Sequence, residues 1–94
     1  MMAIIDPIRM EILRKVFPEI NDIKIEVFTL FAFGMSIREI SVYRNTTHQA
    51  VYKTLRELCE QYNSPSNEAL KTLYITRLAL HSFLELRIEL TPEQ

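Results

Sequence analysis

A single glycine, Gly34, in a chain of 94 residues does more than any other feature to narrow the fold. Two-residue hairpin turns need positive φ, which Asn-Gly, Asp-Gly or Gly-Gly pairs supply, and none of these pairs occurs. That argues against an all-β fold. Loops that cradle phosphates need glycines in sets, where the backbone must approach the ligand closely, so a P-loop or dinucleotide-binding fingerprint is also excluded. The expected class is all-α, with four to five helices, a central helix-turn-helix and a long C-terminal helix.

The length fits one domain and leaves no room for a separate catalytic module. A hydrophobic share of 48% against 24% charged residues is the balance of a globular protein. At this size a core is only marginally sufficient without staples, so efficient helix packing or a partner subunit is needed. Cys59 is the single cysteine and can form no intrachain disulfide, which suits a reducing compartment. The longest run free of Asp, Glu, Lys and Arg, Val27 to Ile37, is far shorter than a membrane span needs. The first residues lack the basic segment and small-residue cleavage site of a signal peptide. The expected location is cytoplasmic, with no membrane partner.

Local chemistry divides the chain into a helical extension (1–20), a helix-turn-helix core (21–65) and a long last helix (66–90). Asp6-Pro7 reads as an N-cap followed by proline at the first helical position, and Ile8, Ile12, Leu13, Val16 and Phe17 then recur at helical spacing up to Pro18. Asn21-Asp22 caps a second helix carrying Ile23, Val27, Leu30 and Phe31, widened by Phe28 and Phe33 and ended by Gly34. Ser36-Ile37-Arg38-Glu39 has the form of a capping box and opens a third helix of about two turns. Asn45 marks a turn, and Thr47 caps a fourth helix in which Val51, Leu55, Leu58 and Tyr62 fall on one stripe. After Asn63-Ser64-Pro65-Ser66 the last helix runs to Leu90, where Thr91-Pro92 stops it. It is apolar nearly all round, more than one small core can bury.

A short capped helix, a tight turn and a longer helix with a polar outer face make a helix-turn-helix. Ile40 supplies the buried contact of the first helix, Ser41 is small enough for close approach, and Val51 is the matching apolar residue on the second. An ordinary helical corner with a solvated face would show much of the same pattern. The run from Phe31 to Asn63 nevertheless resembles the helix-turn-helix of the LuxR/GerE-type bacterial transcription regulators. It is similar at Gly34-Met35-Ser36, at Glu39-Ile40, at Thr47 where that family usually has a capping serine, and at Val51. Ser41 stands where alanine is usual. Ala50 and Tyr52 depart from the threonine and lysine common at those two positions, which in the family usually face DNA, so the target sequence does not carry over.

If the fourth helix enters the major groove, Gln49, Tyr52 and His48 near its start face base edges, and Lys53, Arg56, Arg38 and Arg44 reach guanines or phosphates. Thr47 completes this set. Charge is the objection, because nucleic-acid modules are usually basic and this chain has net charge -1. The balance is uneven: Gly34 to Tyr62 carries one net positive charge and the segments on either side one net negative charge each.

Catalytic arrangements fare poorly. His48 and Cys59 on one helix would lie ~16 Å apart at 1.5 Å per residue, too far for a nucleophile and its base. His81 reads as a residue between helices. Two histidines and one cysteine have no zinc-like spacing, so no metal, no cofactor and no enzyme activity are expected. The expected function is a sequence-specific, double-stranded-DNA-binding transcriptional regulator, paired as a homodimer through Leu80, Leu84 and Ile88 of the last helix. The alternative is a helical interaction module that has lost DNA binding and acts on RNA polymerase or another regulator.

Overall fold

The computed structural model describes residues 4–90, and the side chains of residues 4–84. Five helices form it: α1 (Pro7–Val16), α2 (Asp22–Ala32), α3 (Ile37–Tyr43), α4 (His48–Gln61) and α5 (Asn67–Leu90). There is no strand among the described residues. The fold class is all-α.

Every helix begins with a side-chain cap. The Asp6, Asn21, Ser36, Thr47 and Ser66 oxygens accept from the backbone N–H groups of Arg9, Lys24, Glu39, Ala50 and Ala69 at 2.8 to 3.1 Å. Each satisfies a donor that the first helical turn leaves open. The capping box is complete, because Glu39 Oε1 also accepts from the Ser36 N–H at 2.9 Å.

The ends of α2, α3 and α4 share one device. Gly34, Asn45 and Asn63 have φ of 109°, 54° and 51°. Just beyond them, Met35, Thr46 and Ser64 donate back to the carbonyls of Leu30, Ser41 and Cys59 at 3.0, 2.9 and 2.8 Å. These are Schellman endings, which need a residue that tolerates the left-handed region. Glycine does so freely and asparagine at little strain.

Helix α2 is central and packs against all four others. It buries Ile25, Val27, Phe28, Leu30 and Phe31, so its core-facing surface is unusually wide. Phe17, Phe28 and Tyr74 form an aromatic centre, with ring centroids 4.9 to 5.2 Å apart, and Tyr62 lies 5.7 Å from Phe28. Leu13, Val16 and Phe17 belong to the same core, so α1 is built into the domain rather than appended to it.

Two sequence expectations about burial need correction. Ile8 and Ile12 are 73% and 48% exposed, because they lie to one side of the stripe of Met10, Leu13, Val16 and Phe17 that faces the core. Ile23 and Phe33 are also mainly exposed, at the two ends of α2. Along α5, Leu70 and Tyr74 are fully buried, whereas Ile75, Leu80, Phe83 and Leu84 are exposed. The helix outruns the body it packs on. The Ile88 side chain and the Thr91-Pro92 stop lie outside the described residues.

Candidate nucleic-acid interface

Helices α3 and α4 pack through Ile40 and Val51, both at most 1% exposed, with buried Ser41 between them. The Ser41 hydroxyl donates to the Arg38 carbonyl at 2.7 Å, so the small side chain is satisfied within its own helix and leaves room for α4. The turn is fixed by Asn45 and the first residue of α4 by the Thr47 cap. A short helix, a three-residue turn with its cap and a fourteen-residue helix result.

Helix α4 has two clearly different faces. Val51, Leu55 and Leu58 are buried against α2, while Tyr62, the last of the expected stripe, is half-buried. On the opposite side Gln49, Lys53, Arg56 and Glu60 recur at i, i+4, i+7 and i+11, and all are exposed. Tyr52 lies beside them, 52% exposed, and His48 stands exposed at the first helical position. From Gln49 to Arg56 the row is ~10 Å long at 1.5 Å per residue, a span that fits a major groove ~12 Å wide.

The carboxylates around this face are mostly engaged. Glu26 pairs with Arg44, Glu57 pairs with Lys24 at 3.8 Å, and Glu39 is held in the capping box. The Ser36 backbone N–H, with its hydroxyl, holds the Glu39 carboxyl below the usual range. By contrast, no carboxylate pairs with Arg38, Lys53 or Arg56 among the described residues, and all three side chains are exposed. Glu60, at the far end of the row, is the anion left on that side. The weak positive charge of the sequence therefore becomes three free cations against one free carboxylate.

Arg44 does not belong with them. Its guanidinium is bound to Glu26 on α2, and the two side chains are only 25% and 17% exposed. The expectation that Arg44 reaches phosphate is corrected to a structural one: it ties the turn to α2. Glu26 was the missed partner. A pair between residues eighteen positions apart depends on how α2 meets α3 and leaves no local mark in the sequence. Thr47 likewise acts as a cap, accepting from Ala50 N–H at 3.0 Å.

Other candidate chemistry is placed apart. Cys59 is half-buried, its Sγ 3.6 Å from Asn67 Oδ1, and burial pushes its thiol up, which opposes thiolate formation. No group of three or more His, Cys, Asp or Glu side chains is arranged to share a metal ion among the described residues. Nor is any helix among them long and apolar enough to cross a membrane. Comparison with protein families, curated proteins and solved structures gives no match to the chain.

Proposed function

We propose that the chain is a DNA-binding transcriptional regulator that lays α4 in the major groove of duplex DNA and works as a homodimer paired through α5. The observation that carries this reading is the outward row of α4, where Gln49 and Tyr52 can read base edges and Lys53 and Arg56 stand unpaired, with Arg38 free on α3. Bidentate amide contacts to adenine and guanidinium contacts to guanine or phosphate are the chemistry such side chains offer. The resemblance of residues 31–63 to LuxR/GerE-type regulators supports it. Pairing compensates for the small number of cations, since each copy brings only three.

A protein-interaction module is the second reading. It is favoured by the exposed apolar residues of α5, Ile75, Leu80, Phe83 and Leu84, since contiguous apolar surface marks interaction sites. The salt dependence of binding to duplex fragments separates the two. With about 0.9 in log K per phosphate neutralised, three free cations give a slope of about -2.7 per copy. Absence of duplex binding at low salt would favour the interaction module.

A further inference from the structure

The charge that α4 offers a duplex is set by a residue outside α4. Its own charged side chains are Lys53, Arg56, Glu57 and Glu60, two cations and two carboxylates, so the helix taken alone is neutral. Glu57 decides the balance. It follows Lys53 by four residues, about 40° further round the helix, and side chains at that spacing are neighbours on a helix surface. A Glu57 carboxylate with no other partner therefore lies within reach of the Lys53 ammonium and competes with a phosphate for it.

In the structure Glu57 turns the other way. Its Oε1 is 3.8 Å from Lys24 Nζ on α2, with the Lys24 and Glu57 side chains 29% and 40% exposed. Nothing local in α2 calls for a cation at this position. Lys24 is the third residue of the helix, its N–H donating to the Asn21 cap at 2.9 Å, and the N-terminal end of a helix favours anions. Asp22 in the same turn follows that rule, whereas Lys24 opposes it. The partner that Lys24 gains is on α4. Two residues further on, Glu26 binds the Arg44 guanidinium, so α2 edits the charge of the helix-turn-helix twice: Glu26 withdraws a cation and Lys24 withdraws a carboxylate.

We infer that Lys24 is a positioning residue for duplex binding: it does not touch DNA but holds the Glu57 carboxylate on the α2 side of α4, and so keeps Lys53 free for a phosphate. This inference rests on the reading of α4 as the duplex-binding helix and adds to it a residue that makes no contact of its own. With Lys24 in place the outward side presents Arg38, Lys53 and Arg56 against Glu60. Without it Glu57 turns to Lys53, and one of the three free cations is lost. The pair is partly exposed and of the kind that adds little to stability, so its removal should be read in binding and not in folding.

The test is the salt dependence of duplex binding by the full chain, measured for the wild type, Lys24→Met, Glu57→Gln and the double variant. Three free cations give the wild type a slope of about -2.7 per copy. Lys24→Met should flatten it to about -1.8, Glu57→Gln should keep it near the wild-type value, and the double variant should return to that value, because no carboxylate remains to be held. Helix content should be the same in all four. Two results overturn the proposal while the duplex-binding reading stands: a slope that Lys24→Met leaves unchanged, and a flattened slope that Glu57→Gln fails to restore, which would show Lys24 itself on a phosphate. A wild-type chain that binds no duplex at low salt is a separate result, seen before any variant is compared, and it refutes the proposed function together with this inference.

Discussion

Arg44→Ala separates a structural arginine from a DNA-binding one. Its guanidinium and the Glu26 carboxylate are 25% and 17% exposed, between the fully exposed pairs that contribute about 0 to 1 kcal/mol and the buried ones whose breaking costs about 3 to 5 kcal/mol. Truncation leaves Glu26 mostly buried beside the turn with no counter-ion. A loss of about 1.5 kcal/mol is expected on those two limits, and for a domain of this size it corresponds to a Tm decrease of ~6 to 12 °C. Lys53→Ala removes an exposed, unpaired cation and should change stability by less than about 0.5 kcal/mol. It should instead lower the salt slope of duplex binding by about one. Thermal unfolding and salt titration of both variants give the comparison, with the Glu26→Ala cycle measuring the coupling. The reasoning is refuted if Arg44→Ala melts like the wild type and Arg44→Ala and Lys53→Ala flatten the salt dependence equally.

Ser36→Ala removes the acceptor for the Glu39 N–H and should cost about 1 kcal/mol, read as a lower urea midpoint, with duplex binding unchanged under conditions where the variant is folded. Tyr62→Phe should leave stability unchanged or raise it, because the hydroxyl is buried beside Glu19 and Arg77 without completing a hydrogen bond; a clear loss would show that it has a partner. Acid should destabilise the fold. Asp6 is lowered by the Arg9 backbone N–H, Asp22 by the Arg14 guanidinium and Glu39 by the Ser36 N–H, while at Glu19 burial is the largest effect and raises the value, but the Arg77 guanidinium and the other donors around the carboxyl together outweigh it. Carboxyls lowered on folding contribute stability that is fully present above their ordinary values of 3.8 and 4.5 and is lost as pH falls through the lowered ones. The urea midpoint should therefore be level above about pH 5 and fall below it; a midpoint unaltered down to about pH 3 would contradict these pairings.

Local chemistry was the legible part of this chain. Asp6-Pro7, Ser36 with Glu39, and Thr47 each settle a helix start within four residues, and Gly34 and Asn45 settle two ends. Spacing was enough for Val51, Leu55 and Leu58, because α4 has one apolar stripe and a polar remainder. It failed for Ile8, Ile12, Ile23 and Phe33, where apolar residues surround the helix and only the position of the neighbouring helix decides which are covered. Long-range pairs were illegible for the same reason. Arg44 with Glu26 and Arg77 with Glu19 span 18 and 58 residues, and no sequence spacing marks them. The outward position of Gln49, Tyr52, Lys53 and Arg56 was readable from the helical period, whereas the neutralisation of Glu26 and Glu57 was not.

The central claim is that the outward face of α4 reads duplex sequence, and selection from random duplexes tests it most directly. Wild-type protein at low salt should enrich one motif, arranged as paired half-sites about 34 Å apart for a two-fold dimer. Gln49→Ala and Tyr52→Ala should each relax the preference at one position, at a cost of about 1 to 3 kcal/mol for binding the wild-type motif. No enriched sequence, or a motif that both substitutions leave unchanged, would contradict the claim.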